Sequence, residues 1–156
     1  MLALLDNTVL SNFATVHRVE LIRAAIEDAA TVSLVLDEYR AGVRLGRVPP
    51  EDWSWLSVHT LTTEEQELLA KLRLRLNDGE AACLAVAAIR HARIVTDDHD
   101  AREIAAKMRV AVSGTIGLLV RLVDIDALPM PQADRLLGEM IAAGYRSPIT
   151  KLAQLL

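Results

Sequence analysis

Cysteine, aromatic side chains, long apolar runs and surplus basic charge are all scarce in this sequence of 156 residues. Each scarcity narrows what the chain can be. The single cysteine, Cys83, has no internal disulfide partner, which excludes a disulfide-stapled scaffold. It lies within an apolar helical stretch and reads as core. Aromatics make up only 3%, so Leu, Val, Ile and Ala must fill the interior. The longest unbroken apolar run, Ala81 to Ile89, has nine residues. A membrane span needs roughly 20. The first apolar stretch has no basic region ahead of it and is interrupted at Asp6, so no signal peptide is expected, and a cytoplasmic, non-membrane protein fits. The glycines stand apart, and Gly114-Thr115-Ile116-Gly117 is a poor match to a nucleotide-binding fingerprint. His17, His59 and His91 show no ligand spacing with cysteine or with one another, which argues against zinc. No nucleophile-elbow motif supports Ser/His/Asp catalysis. With 17 basic and 21 acidic residues the net charge is −4, whereas nucleic-acid binders are more often basic.

What is present is the material of an ordinary globular chain. A 52% hydrophobic and 24% charged composition excludes disorder, and the length suits one domain over 1–156. Leu2 to Leu5 reads as a short buried strand. Val19, Ile22, Ile26 and Ala29 recur at helical steps and predict an amphipathic helix over 16–29. Glu38 to Val43 is helical, and Pro49-Pro50 closes that segment. Trp53, Trp55 and Val58 alternate with polar neighbours and predict a strand. Thr62-x-x-Glu65 is a capping box for a helix carrying Leu68, Leu69 and Leu72. Asn77-Asp78-Gly79 breaks that helix and opens the next, to about residue 91. Arg93 to Thr96 and Val110 to Val112 are strands, followed by helices from Asp98 and Gly114. A last helix starts at Pro129 to Pro131. Strands alternating with helices through short links predict a three-layer α/β/α sandwich around a mostly parallel sheet of four or five strands.

Into this pattern are set acidic residues far apart in sequence. Asp6 closes the first strand, with Thr8 two residues on. Glu38 lies on a helix, Glu80 in a first helical turn, and Asp97 and Asp98 directly after a strand. Each has an ordinary reading: Asp6 as a helix cap, Glu38 as a solvated residue, Glu80 as the partner of Asn77, and one of the aspartates as the cap of the helix near Asp98. His99 reads as a surface residue or a substrate contact. Carboxylates at strand ends and helix starts nevertheless gather at one edge of an open α/β sheet. Several unpaired carboxylates in one place call for a cation, which points to metal-dependent chemistry on a phosphate ester. Arg40, Arg44 and Arg47, and separately Lys71, Arg73 and Arg75, are either solvated helix faces or the side of a groove.

Taken together these residues resemble the PIN domain family of metal-dependent ribonucleases. Leu5-Asp6-Asn7-Thr8-Val9-Leu10-Ser11-Asn12 is similar to its opening strand, Glu38-Tyr39-Arg40-Ala41-Gly42 to its second acidic segment, and Gly79-Glu80-Ala81 to its third. Val95-Thr96-Asp97-Asp98 is similar to its Thr-x-Asp and singles out Asp98. Gly114-Thr115-x-Gly117 and Gly144-Tyr145-Arg146-Ser147 resemble a prokaryotic subgroup of nucleases and toxin-like proteins. The chain departs from the usual pattern at Ala82-Cys83, where a further Glu is common, and at Asn7-Thr8, where Thr-Ser is common. The resemblance implies that Asp6, Glu38, Glu80 and Asp98, with Asp97, hold Mg²⁺ or Mn²⁺ for hydrolysis of RNA, with Thr8 and Asn12 orienting water or phosphate. One reading it implies is the toxin of a toxin–antitoxin pair. Trp53, Trp55 and Ile149 to Leu156 are either a surface for a homodimer or an antitoxin, or ordinary core and rim packing. The alternative is a PIN-like module that binds RNA or protein without cutting. A receiver-like signalling domain is disfavoured, because the acidic pair comes late and no Lys follows the last strand.

Overall fold

The computed structural model describes residues 1–155. The chain runs β1 (Ala3–Leu5), α1 (Asn7–Thr15), α2 (Glu20–Ala25), β2 (Ala29–Thr31), α3 (Ser33–Arg44), β3 (Ser57–Val58), α4 (Thr63–Leu72), α5 (Asp78–Arg90), β4 (Arg93–Val95), α6 (His99–Lys107), β5 (Val112–Ser113), α7 (Thr115–Asp124), α8 (Met130–Ala142) and a 3-10 turn at Leu152–Leu155. The five strands form one parallel sheet in the order β3-β2-β1-β4-β5, the centre of a three-layer α/β/α fold. Leu4 of β1 stands between Ala30 of β2 and Ile94 of β4. The chain moves outward from β1 through β2 and β3, then returns to place β4 on the other side. The strand order therefore reverses between β1 and β4, and a crevice opens at their carboxyl ends.

Local chemistry accounts for the main helices. Thr62 and Glu65 exchange bonds at the start of α4, with Thr62 N–H donating to Glu65 Oε1 at 2.8 Å and Glu65 N–H to Thr62 Oγ1 at 3.2 Å. Asn77 and Glu80 repeat the device on α5. α5 is buried from Gly79 to Ala87, and its alanines let it lie close against β1 and β4. It also touches α3, α4 and α6, while α7 packs against α2 and α8. Buried Glu65 is held by Arg90 through two bonds, of 2.7 and 2.8 Å, and Arg90 also reaches His59 Nδ1 and Thr60 O. This network ties α4, α5 and the segment after β3 together.

Three expectations need correction. Residues 16–29 are not one helix. α1 already occupies Asn7–Thr15 and ends before His17, which takes φ +57°, and Ala29 is a strand residue paired with Ala3. The alternation from Trp53 to Val58 is largely a turn, closed by Leu56 N–H on Trp53 O, and only Ser57–Val58 pairs as a strand. Its aromatics pack sideways instead: Trp53 meets Tyr39 edge-on at 5.2 Å, and Arg23 lies over Trp55. The last strand starts at Val112, because Arg109 (φ +58°) and the Val110 N–H bond to Ala105 O still belong to the close of α6. Of the candidate dimer surface, Trp53 and Leu152 are buried in the core, and Leu156 lies outside the described residues.

Candidate active site

Asp6 follows β1 and is almost wholly buried, 1% exposed. Its Oδ1 caps α1 by accepting from Asn7 N–H. Its Oδ2 accepts from Thr96 Oγ1 at 2.6 Å and from Thr8 Oγ1 at 3.3 Å. Each threonine hydroxyl also accepts a backbone N–H from the turn after β4. Thr96 takes that of Asp98 at 3.2 Å, and Thr8 that of Asp97 at 3.0 Å. A hydroxyl donates once and accepts as well, so two threonines lock the end of β1 to the β4–α6 turn.

Glu80 is also buried and serves in the α5 cap, its Oε2 accepting from Asn77 N–H. The Asn77 side chain does two further things: Oδ1 accepts from Glu80 N–H, and Nδ2 donates to Glu38 Oε1 at 3.4 Å. Glu38 Oε2 is buried with no hydrogen-bond partner. Gly79 packs closely here: a Cβ would press on Val35 of α3 at 3.2 Å and meet Glu38 Oε2 at 3.5 Å, an ordinary contact. Asp98 caps α6 through Oδ2 and Ala101 N–H.

Burial and mutual repulsion dominate the electrostatics. Burial pushes Asp6 up to about 6 against hydrogen bonds that pull it down, and Asp98 adds a smaller upward push. Burial, then the charge of Asp6, raises Glu38 to about 7. Glu80 reaches about 8 through burial and the charges of Asp6, Asp98 and Glu38. These four carboxylates therefore form one electrostatic group. Buried Cys83 beside them donates weakly to Leu5 O, and its thiol is pushed up by burial.

Asp97 points elsewhere. Its Oδ1 accepts from Thr115 N–H at 2.8 Å, and its Oδ2 from Asn12 Nδ2 at 2.9 Å and from the Thr115 hydroxyl. Tyr145 OH reaches Oδ1 at 3.4 Å. Asp97 thus caps α7 and ties it to α1 and to the segment after α8. Gly114 makes room, because a Cβ there would lie 2.5 Å from Asp97 Oδ1 and 2.9 Å from Thr96 O.

A cleft of about 570 Å³ opens beside Asp98, the one member of the group in its lining, and is walled by Thr8, Asn12, Arg47, Tyr145 and Arg146. Glu38, Asn77 and Gly79 border a separate hollow of about 510 Å³. A further hollow, of about 670 Å³ around Tyr39, Arg44 and Trp53, is lined by none of these carboxylates. Sequence reasoning had no role for the Asn77 side chain beyond capping, nor for Thr115, Tyr145 or Arg146. Only the family-like segments around Thr96, Gly114 and Tyr145 signalled them.

The donor set suits a hard divalent cation, because it consists of carboxylate oxygens that repel one another and includes one buried oxygen without a donor. Among the described residues, no three acidic, histidine or cysteine side chains stand close enough to share one ion as they lie. Side-chain adjustment or bridging water belongs to any metal complex here.

Fold and site together define a class: a three-layer α/β/α protein with an acidic centre at the carboxyl edge of a parallel sheet. A family model described as a PIN domain matches residues 2–156, and the chain belongs to the PIN domain family. PIN domains are in general nucleases, hydrolases of nucleic acids that typically use divalent metals. No curated protein and no solved structure matches the chain. Among the described residues no helix is long and apolar enough to cross a membrane.

Proposed function

We propose that the chain, as one PIN domain over 1–156, is a Mg²⁺- or Mn²⁺-dependent endoribonuclease. One observation carries this reading: Asp6, Glu38 and Glu80 are raised by burial and by their neighbours' charge, and Glu38 Oε2 is left buried without a partner. Asp6, Glu38, Glu80 and Asp98 would hold the cation. When bound, it would offset the charge on the attacking and leaving oxygens of an in-line displacement at phosphorus. Thr96 and Thr8 hold Asp6 in place, and Asn77 holds Glu38 against Glu80. Asp97, with both oxygens hydrogen-bonded, positions α7 and the cleft wall rather than ligating directly. Arg47 and Arg146 face the cleft without an ion pair among the described residues and suit the phosphates on either side of the cut.

The test is cleavage of a mixed single-stranded RNA pool with Mn²⁺, Mg²⁺ or EDTA, alongside Asp6→Asn. Cutting that needs metal and falls at least about a hundredfold in the variant is expected. A folded protein that binds RNA but never cuts would establish the binding-module alternative instead. A toxin role predicts a small partner gene next door whose product co-purifies and blocks cutting, and the proposed homodimer is read by sedimentation.

A further inference from the structure

A second cleft of about 620 Å³ adjoins the first, and Asp97, His99, Tyr145 and Arg146 line both. Its far side differs in character. Ile116, Pro148 and Ile149 supply apolar wall, Arg102 and Ser147 supply donors, and Gly117 contributes no side chain. Ser113, also in its lining, has a buried hydroxyl without a hydrogen-bond partner. Arg102 donates to Thr96 O at 2.9 Å, so the second cleft is braced against the strand end that holds Asp6. Neither Arg102 nor Arg146 is in an ion pair among the described residues.

An endonuclease must hold at least one nucleotide on each side of the bond it cuts. We propose that the second cleft is a nucleoside subsite of this site: it takes the base and sugar next to the scissile phosphate, with Arg146 on the linking phosphate at the shared wall. This rests on the nuclease reading for the identity of the strand. A base enters an apolar, donor-lined slot only when it is unstacked and unpaired, so the subsite selects single strands over duplex. Its apolar walls and the unpartnered Ser113 hydroxyl are what separate it from a plain phosphate-binding patch. In a protein of net charge −4, the shared arginine gives a polyanion a place to rest beside an acidic centre.

Binding separates the subsite from catalysis. Fluorescent single-stranded RNA is titrated, with anisotropy as the readout, against Asp6→Asn so that no cutting intervenes, and then against that protein carrying Arg146→Ala, Gly117→Leu or, as a comparison in the larger hollow, Arg44→Ala. Gly117→Leu fills the second cleft and is checked by thermal melting; exposed Arg146→Ala stands in if it does not fold. Expected are a five- to tenfold loss of affinity for each cleft variant and none for Arg44→Ala. The log–log salt slope should be shallower by about 0.7 for Arg146→Ala. Gly117→Leu should no longer distinguish an intact strand from one shortened by the nucleotide beside the cut. Undiminished binding in Arg146→Ala and any folded Gly117→Leu, or duplex bound as well as single strand, overturns the subsite. If the cleft variants weaken binding but the unsubstituted protein never cuts with any metal, the subsite stands and the nuclease reading falls. If RNA binds neither Asp6→Asn nor the unsubstituted protein, both fall.

Discussion

At the residue scale, the site is a set of carboxylates kept where their charge is unwelcome. Asp6, Glu38 and Glu80 hold protons in the folded chain at pH values where the unfolded chain has released them. Their folded values of about 6, 7 and 8 lie above the ordinary 3.8 and 4.5. The contribution of these groups to stability is therefore best below pH 4 and is lost progressively as pH rises to about 8. In EDTA, the melting temperature should decline across that window, and Asp6→Asn should flatten the decline. Unchanged slopes would count against mutual repulsion. A cation must displace the same protons, so Mn²⁺ titrated by calorimetry near pH 6.5 should release protons, seen as a heat that varies with buffer ionisation enthalpy. Thr96→Val keeps the shape of a fully buried side chain but removes the hydroxyl shared by Asp6 and Asp98. It should cost about 1–2 kcal/mol in denaturant unfolding and weaken metal binding at the same time.

At the element scale, the helix ends decide how the site is presented. α5 starts where Asn77 and Glu80 exchange bonds, so one capping device both begins the helix and aims Glu80 and Glu38. α6 starts on Asp98, while Asp97 accepts the first N–H of α7 from across the turn, which gives the adjacent aspartates different tasks. At the other end of α5, buried Glu65 depends on Arg90. Arg90→Ala leaves that carboxylate unpaired and should cost about 3 kcal/mol in denaturant unfolding. Exposed His91 ends α5 at φ +54°, where glycine carries less strain, and His91→Gly should gain up to about 1 kcal/mol. These two opposite signs, at adjacent residues, test whether the helix end is read correctly.

At the scale of the whole molecule, parallel strands and the order β3-β2-β1-β4-β5 bring together groups that the chain separates by up to 92 residues, from Asp6 to Asp98. With Arg47 and Arg146 the cations flanking the first cleft, single-strand binding should fall with salt at a log–log slope of about −1.4, two phosphate contacts' worth. A much steeper slope would place the strand on a broader basic surface, such as Arg40 and Arg44.

Strand–helix alternation and two capping boxes were legible in the sequence, because each depends on residues within a few positions of one another. The helix expected over 16–29 failed for a related reason: three- and four-residue steps also occur across a turn, and pairing of Ala29 with Ala3 outweighs local periodicity. The Trp53–Val58 alternation failed because Tyr39, distant in sequence, offers Trp53 a face to pack on. What only the tertiary structure decided was the division of labour in the site. Burial raises three carboxylates, Asn77 reaches across to Glu38, Asp97 turns away to Thr115 and Asn12, and Tyr145 and Arg146 arrive from the far end of the chain to wall two clefts. Desolvation and long-range hydrogen bonds arise from the packing of several elements at once, and no stretch of sequence encodes them alone.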